Sequence, residues 1–389
     1  MSDNSRIRLP HILCFSTLRN WFRLLFRYGR QIDPGSRWHA FRITLFVIAT
    51  IPVRMLERVL FGLSIRRHQL KEPPVFIIGH WRSGTTNMHN LMLQDSQFAS
   101  VTMLHCAIPN GFLTWGWLAR LILKRRLPES RPMDAVPLGI DEPMSEDFAL
   151  AGMTHMSHYL NYFFPRIAEE TFRTTVLFEG ASEEDRTHWK RACDYLLRKV
   201  SYACGGKRLL LKNPPNLGRI STVLEMYPNA KFIHVVRNPW LVHASTMKLM
   251  DRFTDQLSLQ ASEADQLEAF VSRRYSLIME QWEMQKDLIP EGQLIEVRHE
   301  EVTRNPVQMV QRIYQTLGLN GWEEMKPALE RYAESLEGYR TNSYKFDAAF
   351  LERVAPYLNP WAQRFGYQSP DQIQKSEQRQ TVGEQASAA

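Results

Sequence analysis

Pro74-Val75-Phe76-Ile77-Ile78-Gly79-His80-Trp81-Arg82-Ser83-Gly84-Thr85-Thr86 is the stretch on which the fold turns. Four apolar residues run into a loop bounded by Gly79 and Gly84 that holds one fixed cation, Arg82, and one hydroxyl, Ser83, with two more hydroxyls, Thr85 and Thr86, directly after it. A buried strand, a Gly-bounded loop and a helix N-terminus together present a set of backbone N–H groups to an anion such as phosphate. The nucleotide-triphosphatase loop, G-x-x-x-x-G-K-[S/T], needs Lys directly after its second Gly. Here Thr85 stands in that place, and the charge is Arg82, whose planar fork suits phosphate or sulfate oxygens. The loop therefore reads as an anion site ill suited to triphosphate and metal chemistry.

A second anion signature lies in Lys231-Phe232-Ile233-His234-Val235-Val236-Arg237-Asn238-Pro239. Its apolar, β-branched run predicts a buried parallel strand, broken by Asn-Pro before a helix. Arg237 then stands at the strand's carboxyl end, where open α/β sheets bind ligands. Ser245, eight residues on, falls about two helical turns into the next element. Leu209-Leu210-Leu211 predicts a further strand, ending at Lys212-Asn213-Pro214-Pro215, and Leu294 to Arg298 another. The expected fold is α/β: a P-loop-like three-layer arrangement with a central parallel sheet flanked by helices, preceded by an N-terminal helical arm.

These residues carry a resemblance. Arg82-Ser83-Gly84-Thr85-Thr86 resembles the 5′-phosphosulfate loop of the sulfotransferase family, in the branch with Arg where cytosolic members have Lys. Arg237 and Ser245, at a spacing of eight, are similar to that family's 3′-phosphate site. The segment around Lys212, followed by Tyr227-Pro228-Asn229-Ala230-Lys231-Phe232, is similar to tyrosylprotein and bacterial carbohydrate-type members, in which the matching Lys helps hold the transferring sulfuryl group. The resemblance runs from about residue 74 to about residue 345, with its motifs in family order.

It implies sulfuryl transfer from 3′-phosphoadenosine 5′-phosphosulfate to an acceptor hydroxyl, leaving adenosine 3′,5′-bisphosphate, with no metal. Arg82 would stabilise charge on the bridging oxygen and Lys212 would add a second cation. Ser83, Gly84, Thr85 and Thr86 would hold the 5′-phosphate, and Arg237 and Ser245 the 3′-phosphate. The general base stays open between His105, Glu142 and Glu146, because Val101-Thr102-Met103-Leu104-His105 lacks the Glu of the tyrosylprotein branch. A kinase using a modified P-loop, or a nucleotide-binding protein that has lost catalysis, are the competing classes. The missing loop Lys argues against the first, and the joint retention of Arg82, Lys212, Arg237 and Ser245 against the second.

Composition bounds the rest. With 44% hydrophobic and 23% charged residues over 389 positions, the chain can bury a large core. The net charge of +7 is concentrated in residues 1–71, which hold thirteen basic and three acidic residues against 35 and 38 elsewhere. That arm interleaves Leu18, Trp21, Phe22, Leu24, Leu25 and Phe26 with Arg19, Arg23, Arg27 and Arg30. Its apolar run Leu45 to Val53 is too short to span a bilayer, which takes about 20 residues. Two readings stay open for it: helices lying on an anionic membrane face, or helices packed on the catalytic domain. So many large apolar residues exclude nucleic acid as the natural partner of this charge.

Three regions are expected: the basic arm over 1–71, the sulfotransferase-like domain over 72–368, and a disordered tail over 369–389 rich in Gln, Ser, Glu and Ala. Residues 105–150 read as an irregular aromatic insertion that shapes the acceptor pocket. Acceptors in view are a lipid, a glycolipid or a carbohydrate. Four cysteines without metal-ligand spacing point to a reducing, cytoplasmic setting, peripheral to the inner membrane face if the arm docks there.

Overall fold

The computed structural model describes residues 10–124, 139–336, 346 and 348–370. Five parallel strands form one sheet in the order β2-β3-β1-β4-β5: β1 Val75–Ile78, β2 Phe98–Ala99, β3 Arg208–Lys212, β4 Lys231–Val236 and β5 Leu294–Arg298. Ile77 pairs with Lys212 on one side and with Ile233 on the other. The first strand is therefore central, and the strands expected to carry the two other cations are its immediate neighbours.

The continuous apolar runs have a packing cause. Phe76, Ile78, Leu209, Leu211, Phe232 and Val236 enter one core cluster, whereas Val75, Ile77, Leu210, Ile233 and Val235 enter a second on the opposite face. A parallel sheet covered on both sides leaves no position for polar alternation. All four β1 side chains are fully buried, each contributing about 1.5–3 kcal/mol before chain entropy is charged against it. Helix α4 (Thr85–Met92) places Met88, Leu91 and Met92 on the second face; the helices Pro239–Leu257 and Ala264–Gln285 cover the first.

The N-terminal arm forms three helices: α1 (Leu18–Tyr28), α2 (Arg37–Ala49) and α3 (Ile51–Arg67). Thr17 caps α1 by accepting the Asn20 N–H at 3.1 Å, and Trp21 Nε1 donates to Thr44 Oγ1 at 2.8 Å, tying α1 to α2. Pro52 in the first turn of α3 divides the apolar run 45–53 between two helices. Leu13, Trp21, Leu24, Ile43 and Val47 join the first core cluster, so one side of the arm packs on the body that contains the sheet. Phe26, 96% exposed, and Val59, 79% exposed, show that the other side does not.

The segment read as an irregular insertion contains two helices, α5 (Met103–Ala107) and α6 (Phe112–Lys124), before the chain reaches α7 (Glu146–Leu150). Arg173–Leu177 form a π-helical turn that ends at Phe178 with φ +57°. Arg125, Arg126 and the tail beyond residue 370 lie outside the described residues.

Candidate active site

The β1 loop is held in a conformation that its glycines permit. Gly79 has φ +148°, and a Cβ there would lie 2.5 Å from the Val235 carbonyl; Gly84 has φ +97°, and a Cβ there would meet the His299 ring at 2.2 Å. Arg82 itself is left-handed, with φ +68°, a strained conformation for a side-chain-bearing residue. The Met88 N–H is bonded to the Gly84 carbonyl, which leaves the first N–H groups of α4, from Thr85 onward, without intrahelical acceptors. Ser83 Oγ is buried among the described residues without a hydrogen-bond partner. Unsatisfied donors converging at the loop fit an oxyanion.

Two of the expected subsites are directly joined. Arg82 Nε donates to Ser245 Oγ at 2.8 Å, and Arg237 Nη1 donates to the Arg82 carbonyl at 3.1 Å. Ser245 is buried on the Pro239–Leu257 helix, whose N-terminus is capped by Asn238 accepting the Trp240 N–H at 3.0 Å. Arg82 thus bridges the loop that begins at β1 and the helix that follows β4. His299, at the end of β5, packs into the space beside Gly84; burial and then the Arg237 charge lower its pKa to about 4, so the ring is neutral there. No sequence motif singles out His299 for the site.

On the other side of β1, Lys212 ends β3 and meets the segment Ser145-Glu146-Asp147. Ser145 Oγ donates to Asn213 Oδ1 at 2.6 Å, Asn213 Nδ2 donates to Asp147 Oδ2 at 2.9 Å, and Asn216 Nδ2 donates to Glu146 Oε1 at 2.9 Å. Arg219 Nη1 completes the clamp at 2.7 Å from Asp147 Oδ2, while its Nη2 donates to the Thr175 carbonyl of the π-helical turn. Asp147 is fully buried, which alone would raise its pKa, but Arg219 and His158 outweigh burial and hold it well below the ordinary carboxylate range. Glu146 behaves oppositely. Burial is the largest cause, Asp147 adds to it, and Lys212 and Asn216 oppose it; the result is a pKa raised to about 7. Its Oε2 is buried without a partner among the described residues. Two adjacent carboxylates driven apart in this way are the pattern of an acid–base site.

The three candidate bases separate by position. His105 Nδ1 accepts the Thr102 N–H at 3.1 Å in a capping box that starts α5, and the ring packs on Phe112 with centroids 4.4 Å apart. Burial first, then Lys199 and Arg120, lower its pKa to about 4. Glu142 is half-buried and its carbonyl accepts the Met103 N–H at 2.9 Å. Lys212 lies close enough to Glu146 to oppose the rise of its pKa. Asn213, Asn216, Arg219 and His158 went unnoticed in the sequence. Their signal is an Asn-Asn-Arg set set among apolar and Pro residues, which demands buried partners of the kind that a Glu-Asp pair supplies.

The chain matches the Sulfotransferase family over residues 73–324. It is 30% identical over 348 residues to the omega-hydroxy-beta-dihydromenaquinone-9 sulfotransferase Stf3 of Mycobacterium bovis, with 89% of each chain covered. Among solved structures, sulfotransferase STF9 from Mycobacterium avium superposes with a TM-score of 0.67 at 16% identity, covering 94% of this chain and 99% of that one. Sulfotransferase STF1 from Mycobacterium tuberculosis does so with a TM-score of 0.61 at 17% identity, covering 87% and 90%. The two structures share the fold, the family match spans all three strand-end cations, and this chain is a member of the sulfotransferase family.

Proposed function

We propose that this sulfotransferase moves a sulfuryl group from 3′-phosphoadenosine 5′-phosphosulfate to the hydroxyl of a lipid. The observation that carries the reading is the placement of Arg82, Lys212 and Arg237 at the carboxyl ends of three adjacent strands, with Glu146 beside Lys212. The lipid acceptor is suggested by the Mycobacterium bovis relative, named as a sulfotransferase of an omega-hydroxy-beta-dihydromenaquinone-9.

The chemistry follows from the charges. The acceptor oxygen attacks sulfur and loses its proton to the Glu146 carboxylate. The bond from sulfur to the bridging oxygen breaks, and its electron pair stays on the 5′-phosphate as adenosine 3′,5′-bisphosphate leaves. Charge grows on that oxygen during the reaction, so cations and N–H groups fixed around it favour the transition state over the ground state. Arg82, Lys212 and the N–H groups from Ser83 to Thr86 fill this role. Arg237 and Ser245 hold the 3′-phosphate and so distinguish the donor from simple adenylates. Ser245 does so through the hydroxyl that Arg82 orients.

A carboxylate with a pKa near 7 is matched to this task, since about half of it is ionised at neutral pH and the ionised form is basic enough to accept a proton. The test is incubation with donor labelled in the sulfuryl group and a long-chain isoprenoid ω-alcohol in detergent. Label is expected in the lipid product and absent with Lys212→Ala. Label that enters only aqueous glycans would overturn the lipid assignment.

A further inference from the structure

We infer that α2, α3 and α6 form a docking surface for an anionic lipid bilayer, placed to pass the acceptor to Glu146. Each helix has one buried side and one exposed apolar side. On α2, Trp38, Phe41, Leu45 and Ile48 are exposed at spacings of three and four; on α3, Met55, Leu56, Val59, Leu60 and Leu63 are exposed; on α6, Trp117, Leu121 and Ile122. Trp38 is 67% and Trp117 64% exposed, in a chain that buries Trp21, Trp189, Trp240 and Trp282 almost completely. Soluble monomers rarely leave contiguous apolar patches beyond a few hundred Å², and repeated large side chains at helical spacing mark a surface that meets a partner.

Charge selects the partner. Arg37 and Arg42 on α2, Arg58, Arg66 and Arg67 on α3, and Arg120 and Lys124 on α6 are exposed around these side chains. Glu57 is the single acidic residue within the three helices, and it is buried. Apolar side chains, two exposed Trp and a fringe of Arg free of acidic neighbours on the same helices complement an interfacial layer of anionic headgroups over acyl chains. Among the described residues, Arg120 also pairs with Asp141. No helix among the described residues is long and apolar enough to cross a membrane, which leaves docking at the surface.

The surface is fastened to the catalytic machinery. Glu57 accepts the Leu113 N–H at 2.7 Å at the start of α6 and pairs with the buried Lys199, which also donates to the Pro109 carbonyl at 2.7 Å. This fixes α3 against α6. In turn α6 packs on α5, and α5 on α7, the helix that begins at Glu146. A lipid whose tail stays in the bilayer would reach the base along this series of packed helices. The inference deepens the lipid-acceptor reading by naming the phase from which the acceptor comes, and its test involves no turnover.

The intact protein is mixed with sedimentable vesicles of phosphatidylcholine alone or of phosphatidylcholine with phosphatidylglycerol, without donor or acceptor. Binding is expected to the anionic vesicles, to weaken with salt, and to fall by about tenfold or more when Trp38, Val59 and Leu121 are all changed to Ser. Those positions are exposed, so folding is checked by an unchanged melting temperature. Replacing Arg58 and Arg66 by Gln is expected to remove the preference for anionic vesicles while leaving the fold intact. Equal sedimentation of the triple variant and the parent would overturn the inference. So would the absence of vesicle binding by the parent, or light scattering that shows a stable dimer dissolved by the same three substitutions. Vesicle binding without sulfation of any lipid would instead overturn the acceptor assignment and leave the docking surface standing.

Discussion

Glu146 carries opposite consequences for activity and for stability, and that opposition makes its role measurable. As a base it works only when ionised, so kcat/KM should rise with pH through an apparent pKa near 7, and Glu146→Gln should lower kcat by about 10²–10⁴ and remove that limb. For folding the sign is reversed. The folded pKa lies above the unfolded value of 4.5, so the contribution of neutral Glu146 is fully present below pH 4.5 and is lost as pH rises through about 7. Glu146→Gln should therefore melt higher than the parent at pH 8, by on the order of 2–3 kcal/mol, which differential scanning calorimetry would read. Loss of both turnover and stability would speak against a tuned base and for a merely structural carboxyl. His105 offers the contrast. Because it accepts an N–H in the capping box of α5, His105→Ala should cost about 1 kcal/mol in denaturant midpoint and leave the pH limb of kcat/KM in place.

Among the elements, the segments β3-Pro-Pro and α7 act as one piece. Arg219 and Asp147 are both fully buried, so removing one charge leaves the other uncompensated; Arg219→Met should destabilise by about 3–5 kcal/mol in urea unfolding. Asp147 contributes stability above its unfolded pKa, near 3.9, and loses it only as pH falls through its depressed folded value. The parent should consequently resist mild acid better than Arg219→Met, which tests whether that pair sets the acid limit. β1, β3 and β4 were legible as sequence because burial on both faces makes them mainly apolar runs, bounded by Gly79, Asn213 and Asn238, whereas the edge strand β5 alternates buried Ile295 and Val297 with exposed Glu296. The short β2, Phe98–Ala99, offered no such run. Helix α6 escaped notice because Gly116 and two Trp interrupt its pattern and its apolar residues lie on both the buried and the exposed side. The placement of the loop, Lys212 and Arg237 at strand ends and of Ser245 on the following helix was readable from local motifs. The clamp joining Asn213 and Asn216 to Asp147 and Glu146 was not, since it pairs residues about 70 positions apart that no periodicity relates.

Across the whole molecule, the sheet places Arg82, Lys212 and Arg237 beyond its strand ends, and the N-terminal arm shares a core cluster with the helices that cover one of its faces. The sequence left the arm between membrane and domain, and the structure divides it: Trp21, Leu24, Ile43 and Val47 face the core, while Phe26, Trp38 and Val59 face outward. Glu57 and Lys199 join these parts. Burial, opposed by Glu57, lowers the Lys199 pKa to about 8, so the unfolded chain binds the extra proton between about pH 8 and pH 10.5 and stability should rise over that interval. Lys199→Ala would leave Glu57 buried without its cation and should cost about 3–5 kcal/mol in chemical unfolding.

The central claim is that the loop after β1 and the Arg237–Ser245 subsite grip the two ends of one doubly phosphorylated adenosine. Calorimetric titration with adenosine 3′,5′-bisphosphate and with adenosine 5′-monophosphate, on the parent and on Arg237→Ala, tests it most directly. The bisphosphate should bind the parent at least about tenfold more tightly, a difference of about 1.4 kcal/mol, and Arg237→Ala should erase that preference while keeping the monophosphate affinity. Equal affinities in the parent, or a preference that survives Arg237→Ala, would contradict it.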